Sequence, residues 1–260
     1  MKLLIPNLIP KLIYRVYESK LHSEIKGKQM PHHIGIILDG NRRASRKLGL
    51  NYKDGYELGA KKLEEVLNWC WDLGIKVVSV WVFSTENFKR PKDQVETIMQ
   101  LAKEKLRLIR EDERIHKNKV RIKIIGRRDM LPKEIQEEIE QTEKATENYD
   151  NYTLNICMAY GGRAEIVDAI KNIIKRIIKG ELKPEEINEE VINEHLYTKG
   201  LPDPDLIIRT SGEERLSGFL LWQSAYSELY FADVYWPLFR KIDLWRAIRT
   251  YQRRQRRFGK

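Results

Sequence analysis

Ile34-Gly35-Ile36-Ile37-Leu38-Asp39-Gly40-Asn41-Arg42-Arg43 is an apolar run that stops abruptly at a carboxylate, a flexible turn and two cations. A run of this length bounded by turn residues predicts a buried strand, with Asp39 at its carboxyl end. In open α/β sheets, ligands bind at that edge. Gly40 and Asn41 tolerate unusual backbone angles, so their N–H groups can converge on one point, and the helical segment that follows presents its positive end there. The expected ligand is an anion. Asp39 would repel it unless a divalent metal lay between them, and one carboxylate plus a diphosphate is how magnesium is usually held. An ordinary β-turn uses the same three residues, so they do not decide the matter alone.

Beyond Asp39, helix-like and strand-like segments alternate. Residues Tyr56 to Asp72 place Leu63, Val66, Leu67 and Cys70 on one helical face, and Lys76 to Phe83 predicts a buried strand. Val95, Ile98, Met99, Ala102, Leu106 and Ile109 stripe a long helix that follows Pro91. Further strands are expected at Val120 to Ile125, Thr153 to Ala159, Asp205 to Arg209 and Glu228 to Ala232. Further helices are expected at Pro132 to Asn148, from Gly162 to about Ile178, and at Leu244 to Arg257. This alternation predicts one α/β domain: a mainly parallel central sheet covered by helices on both faces.

Several of these strands end in polar or cationic residues: Ser84-Thr85-Glu86-Asn87-Phe88-Lys89-Arg90, Gly126-Arg127-Arg128, Tyr160-Gly161-Gly162-Arg163, and Arg209 to Ser217. In a parallel sheet those ends share one edge, so the loops converge near Asp39. A cleft rich in arginine and poor in acids suits more than one phosphate group, since guanidinium forks grip phosphate oxygens bidentately.

The 260 residues carry 48 Lys plus Arg against 38 Asp plus Glu, a formal charge of +10. That excess suits anionic partners without choosing among nucleic acid, headgroup surface and phosphorylated metabolite. Cys70 and Cys157 have no metal-ligand spacing and fit core thiols in a reducing compartment. The first 30 residues form a basic amphipathic extension, with Ile5, Leu8, Ile9, Leu12, Ile13 and Val16 among Lys2, Lys11, Arg15 and Lys20. It is too charged to span a bilayer. It suits either peripheral contact with a membrane surface or packing on the domain body.

No G-x-G-x-x-G follows the first strand, and neither a Walker lysine loop nor a serine nucleophile elbow occurs. No arrangement of aromatics matches an RNA-reading motif, so no nucleic-acid partner is expected.

These motifs together resemble the cis-prenyltransferases, the undecaprenyl and dehydrodolichyl diphosphate synthase family. The matching stretches are Asp39 to Arg43, Phe83 to Pro91, Asn155 to Arg163, Asp205 to Glu213, Phe219 to Gln223 with Tyr226 to Phe231, and Arg256 to Gly259. They run in order through residues 31–260, which make the prenyltransferase domain. The variants Arg42 and Ser211 look closer to dehydrodolichyl and archaeal members.

The resemblance implies a cytoplasmic enzyme, peripheral to the membrane if its N-terminal extension binds there. It would condense isopentenyl diphosphate with an allylic diphosphate, farnesyl or geranylgeranyl, adding cis units in sequence. The product would be a long-chain polyprenyl diphosphate, the precursor of a glycosyl carrier lipid of the dolichol kind, grown in a hydrophobic tunnel between helices and sheet. It implies that Asp39 holds Mg2+, with Glu228 a second ligand and Glu213 nearby. Gly40, Asn41, Arg42 and Arg43 would bind the allylic diphosphate. Ser84, Thr85, Glu86, Phe88 and Arg90 would complete the substrate site, with Asn87 in a catalytic role. Arg209, Arg215 and Ser217 would hold isopentenyl diphosphate. Arg257 and Gly259 would enter the site of a partner subunit, implying a homodimer. A neutral amide has negligible basicity, so the expected proton acceptor is a diphosphate oxygen oriented by Asn87 and Ser84 rather than Asn87 itself.

Two positions depart from the family pattern: Ala44 replaces a usual aromatic, and Tyr56 a common histidine. Both bear on the choice of starter. A short-chain synthase of the same family is the main alternative; a non-catalytic subunit would lack Asp39, and an RNA-binding domain would not depend on it.

Overall fold

The computed structural model describes residues 8–254. Six strands form one sheet: β1 (His33–Ile37), β2 (Val77–Ser84), β3 (Val120–Ile125), β4 (Tyr152–Tyr160), β5 (Leu206–Thr210) and β6 (Glu228–Ala232). Their order is β3-β4-β2-β1-β5-β6 and every neighbouring pair is parallel. β1 is central and buried along its whole length. Parallel strands covered on both faces need apolar residues at successive positions rather than at alternate ones, which is why Ile34 to Ile37 reads as an unbroken run.

One face packs against α3 (Tyr52–Asp72), α4 (Lys92–Glu111), α6 (Lys133–Thr146) and α9 (Lys241–Arg253). Their buried residues Val66, Met99, Ile135 and Leu244 join Ile36, Val80, Ile124 and Ile156 in one core. Each such side chain contributes about 1.5–3 kcal/mol by leaving water. The opposite face carries Ile37, Cys157, Tyr160 and Ile207, closed by Phe219, Leu220 and Tyr197 beside α7 (Gly162–Ile178).

Two helices begin earlier than hydrophobic periodicity suggests, because capping sets their starts. Asn51 accepts from the Asp54 N–H at 3.0 Å and opens α3 at Tyr52. Asp243 accepts from the Arg240 N–H at 3.1 Å and opens α9 at Lys241. Between β1 and α3, the short helix α2 (Asn41–Leu48) lies almost in contact with α3. A Cβ on Gly55 would sit 1.7 Å from Ser45 Oγ, and one on Gly59 2.1 Å from Asn41 Oδ1. Those glycines fix α2 against the body of the domain.

Of the N-terminal extension, α1 (Leu8–Ile25) packs on α9, with Leu21 and Ile25 fully buried and Glu24 ion-paired to Arg249 at 3.2 Å. Ile13 and Val16 face outward, each 62% exposed. Among the described residues, no helix is long and apolar enough to cross a membrane.

Candidate active site

Strand ends and helix starts meet at the carboxyl edge of the sheet around a cavity of about 680 Å³. Its outer end is lined by Asp39 to Arg43, Ser84, Asn87, Arg90, Arg209, Arg215 and Ser217. Inward it becomes an apolar tunnel between α3, α4 and the sheet, past Leu63, Ala102, Leu106, Ile124 and Ile156. One polar pole joined to one oily channel fits an amphiphile with a charged head and a hydrocarbon tail.

Asp39 stands two residues past β1, held by two cations. Arg43 Nη2 donates to Oδ1 at 3.2 Å, and Arg209 Nη2 to Oδ2 at 2.8 Å. The Asp39 carbonyl accepts from Thr210 Oγ1 at 2.7 Å and from the Trp236 N–H at 3.0 Å, so the backbone is fixed as well. Gly40 follows with φ of 102°, and a Cβ there would meet Tyr235 Cδ1 at 2.9 Å. Glycine is therefore required on both conformational and steric grounds. The turn delivers the first amides of α2 to the cavity, where the helix end is positive.

The second motif forms a 3-10 turn over Thr85–Lys89. Ser84 Oγ accepts from the Asn87 N–H, and Asn87 Oδ1 from the Ser84 N–H, both at 3.2 Å. This reciprocal cap locks Asn87 while its Nδ2 makes no hydrogen bond among the described residues. Glu86 is held below the usual carboxylate range: burial pushes it up, but its own N–H and the Ser84 and Thr85 hydroxyls prevail. Arg90 donates to the Tyr56 hydroxyl at 3.3 Å. Burial lowers its pKa, and repulsion from Arg42 adds to that. A half-buried cation whose hydrogen-bond partner among the described residues is a phenol is a site for an anion.

On the other side, Arg209 is 4% exposed and donates through Nη1 to Ser217 Oγ at 2.8 Å and to the Arg215 carbonyl. Its Nε is buried without a hydrogen-bond partner among the described residues. Ser217 and Gly218 both have positive φ, and the Gly162 N–H ties the loop down through Gly218 O at 2.8 Å. Glu213 pairs with Arg215 and, at 2.8 Å, with Arg43. The hydrogen bonds from Arg43 and Arg215 hold its pKa below the usual value. Arg43 thus bridges Glu213 and Asp39.

The expected site residues do not all converge. Glu228 opens β6 and pairs in register with Leu206, four residues before Thr210, so it lies about 13 Å down the sheet from the Asp39 edge. It is ion-paired with Arg254 at 2.8 Å. A metal shared by Asp39 and Glu228 of one chain is therefore incompatible with the fold. Phe88 turns into the core, edge-on to Phe83 at 4.9 Å, and Thr85 abuts Gly161 rather than lining the cavity. Arg257 and Gly259 lie outside the described residues. The cavity also borders Tyr56, and with it Arg46, Trp81 and Lys105, which the sequence motifs did not mark as site residues. Arg46 follows Arg42 by one helical turn, a spacing that could have flagged it.

For a divalent metal, the carboxylate between the two arginine groups is Asp39, with Glu213 one guanidinium away, and Glu86 borders the cavity from the turn after β2. Among the described residues, no group of three or more His, Cys, Asp or Glu could hold a metal. Hard oxygen donors and an incomplete protein shell fit an ion that takes its remaining ligands from diphosphate and water.

Comparison with known proteins agrees with this arrangement. Residues 37–259 match the prenyltransferase family described as "Putative undecaprenyl diphosphate synthase". The "Tritrans,polycis-undecaprenyl-diphosphate synthase (geranylgeranyl-diphosphate specific)" of Thermococcus kodakarensis is 51% identical, over 98% of this chain and 97% of its own. The protein of that name in Methanocaldococcus jannaschii is 53% identical, over 95% and 89%. An "Isoprenyl transferase" of Thermus thermophilus is 55% identical, over 95% and 96%. Among solved structures, lavandulyl diphosphate synthase from Lavandula x intermedia, in complex with dimethylallyl diphosphate, superposes with a TM-score of 0.85 at 33% identity, covering 89% of this chain and 99% of its own. Relatives of this kind use isoprenoid diphosphates, and the family generally needs a divalent metal. An arginine-lined pole leading into a hydrocarbon tunnel at the edge of this parallel sheet is thus the site of a prenyl diphosphate synthase, and the chain belongs to the cis-prenyltransferase family.

Proposed function

We propose that this protein extends geranylgeranyl diphosphate by successive cis additions of isopentenyl diphosphate, giving a long-chain polyprenyl diphosphate that serves as precursor of a glycosyl carrier lipid. The observation that carries the reading is a cavity with two cationic subsites at its mouth and an apolar tunnel behind one of them. The choice of starter follows the names of the archaeal relatives.

In this reading the α2 amides, Arg42, Arg43 and Arg90 bind the allylic diphosphate, and its tail enters the tunnel. Arg209, Arg215 and Ser217 bind isopentenyl diphosphate. Asp39, between the two subsites, would hold magnesium with substrate oxygens; that ion supplies neutralisation of charge on the departing diphosphate. Two unit anions about 4 Å apart repel by about 4 kcal/mol at an effective dielectric near 20, so the arginines are needed to seat both substrates together. They also stabilise the leaving group without proton transfer. Asn87 Nδ2 orients the diphosphate oxygen that accepts the proton, with Ser84 fixing Asn87.

What supports a homodimer is α7, whose Val167, Ile170, Ile174 and Ile178 form an exposed apolar stripe, with Leu221 and Tyr226 exposed as well. The partner's C-terminal tail would complete the site, and Glu228 would act there across the interface. Ile13 and Val16 on α1 suit peripheral contact with an anionic membrane.

The test is incorporation of labelled isopentenyl diphosphate with magnesium, offering geranyl, farnesyl and geranylgeranyl diphosphate separately, with Asp39→Ala as control. Long products that favour geranylgeranyl diphosphate and vanish in the control are expected. Products of one or two additions would establish the short-chain alternative. Absence of incorporation from the folded protein would refute catalysis by this chain alone.

A further inference from the structure

We propose that Trp81 is a catalytic residue of the condensation: its indole walls the isopentenyl pocket and stabilises the positive charge that develops on the isopentenyl unit. The inference rests on the reading of Arg209, Arg215 and Ser217 as the isopentenyl diphosphate subsite.

The sheet register places the residue. Ile37 on β1 pairs with Arg209 on one side and with Trp81 on the other. Residues in register on neighbouring parallel strands project from the same face, so Trp81 and Arg209 flank Ile37, two strand spacings or about 10 Å apart. That span suits one five-carbon unit whose diphosphate is gripped at Arg209.

The ring is also immobilised. Trp81 Nε1 donates to the Tyr160 carbonyl at 3.3 Å. One face stacks on Phe219 at 5.5 Å and 15°, and Tyr160 meets the ring at right angles, 6.3 Å away. Phe219 and Tyr160 are fully buried and do not line the cavity, whereas Trp81 does, together with Asp39, Arg215 and Ser217. Phe219 belongs to the same loop as Ser217, whose neighbours Gly218 and Leu220 also have positive φ. The indole is therefore keyed to the isopentenyl subsite rather than to the tunnel. The other aromatics bordering the cavity are engaged elsewhere: Tyr56 with Arg90, Phe83 with Phe88, and Trp236 with the Gly59 carbonyl and Phe239.

The chemistry requires such a surface. A bond forms between the terminal methylene carbon of the isopentenyl unit and C1 of the allylic substrate, whose C–O bond breaks with the electron pair leaving on diphosphate. The tertiary carbon of the isopentenyl unit becomes electron-poor. The adjacent methylene then gives a proton to a diphosphate oxygen, and the C–H pair becomes the new double bond. A carboxylate beside the cationic carbon could trap it covalently. An indole face supplies negative potential with no lone pair to donate, and tryptophan is the strongest side chain in this role.

The experiment is single-turnover condensation at saturating geranylgeranyl and isopentenyl diphosphate, with binding of isopentenyl diphosphate alone measured by equilibrium dialysis. Trp81→Leu should slow the chemical step about tenfold to thirtyfold and Trp81→Phe about threefold, as loss of all or part of a desolvated cation–π contact implies. Replacing Trp81 with mono-, di- and trifluorotryptophan keeps the shape of the ring while draining its π density. The rate should then fall with each fluorine at unchanged isopentenyl diphosphate affinity, a trend that a packing role would not produce. A rate independent of fluorination, or a Trp81→Leu enzyme within twofold of the wild type, would overturn the proposal. A wild-type enzyme giving no condensation would overturn instead the reading on which it rests.

Discussion

Gly162→Ala isolates the positioning of the isopentenyl loop from its chemistry. Gly162 is the first residue of α7, and its φ is not in the left-handed region, so alanine suits its backbone and would favour the helix by about 0.5–1 kcal/mol. The added Cβ would nevertheless meet Gly218 O at 2.5 Å and Leu221 Cβ at 2.8 Å. Relief to ordinary contact near 3.4 Å needs a shift of roughly 0.6–0.9 Å, since no flexible side-chain end is available to yield. α7 is anchored by Glu165, fully buried and bonded to Tyr160, Gln223 and the Tyr197 N–H, so the loop is what moves. Ser217 adjoins Gly218, and Arg215 lies two residues further back. Misplacement by about 1 Å can cost about a hundredfold in rate. The expected result is a 10- to 100-fold fall in kcat/KM for isopentenyl diphosphate, with the Kd for geranylgeranyl diphosphate within twofold of wild type and thermal stability nearly unchanged. Equal losses for both substrates, or none, would refute the assignment of this loop to one subsite.

Asp39→Asn keeps the shape of the side chain but removes the charge shared by Arg43 and Arg209; kcat should fall about 10²–10⁴-fold, and magnesium titration should show weakened activation. His33, wedged between Ser79 Oγ at 2.8 Å and the Pro202 carbonyl at 2.7 Å, is held down to about 4 by burial, against an ordinary value of 6.5. The unfolded chain therefore binds its proton first: the stabilisation is complete above about pH 6.5 and is lost as pH falls towards 4, by up to about 3 kcal/mol, which urea unfolding across that range should register and His33→Asn should flatten. Ile170→Asp with Ile174→Asp on α7 should yield a monomer in sedimentation equilibrium with impaired turnover; an active monomer would exclude a site shared between subunits.

The sheet and its carboxyl-edge cleft were legible because parallel topology converts strand ends into neighbours, and the Asp39, Ser84 and Arg209 motifs each follow an apolar run. The same rule corrects Glu228. That residue opens its strand instead of closing it, so it was bound for the opposite edge, where it meets Arg254. Phe88 lies off the cavity because a capped turn, not a loop, follows Ser84, and its twist points the ring at Phe83. The docking of α1 was not decidable from its own stripe. Burial of Leu21 and Ile25 depends on a complementary surface over two hundred residues away on α9. Trp81 was hidden by its context, since one aromatic in an apolar strand signals core unless the register with Arg209 is known.

That register has a wider consequence. Ile36, Val80 and Ile156 face the tunnel side of the sheet, while Ile37, Trp81 and Arg209 face the other, so in the proposed reading strand alternation puts the two subsites on opposite faces. Their occupants can meet only over the edge, where β1 ends and Asp39 stands between them. β2 extends beyond β1 there, and its pairing with β4 shifts register between Trp81 and Phe83 and again before Ser84. Such irregularity breaks the period-2 alternation and re-aims side chains. Trp81, Val82, Phe83 and Ser84 consequently all border one cavity, which strict alternation would forbid. The two shifts compensate, three residues from Trp81 to Ser84 lying opposite three from Cys157 to Tyr160, so deleting one residue of β2 alone would leave the β4 shift unmatched and pull Ser84 and Asn87 out of register with Tyr160 while leaving the hydrophobic core of β1 and β5 in place. The expected product is a folded protein that binds each diphosphate separately and joins none, measurable as retained binding of both substrates without condensation. Retained condensation would mean that the meeting point is set by the loops and not by the sheet.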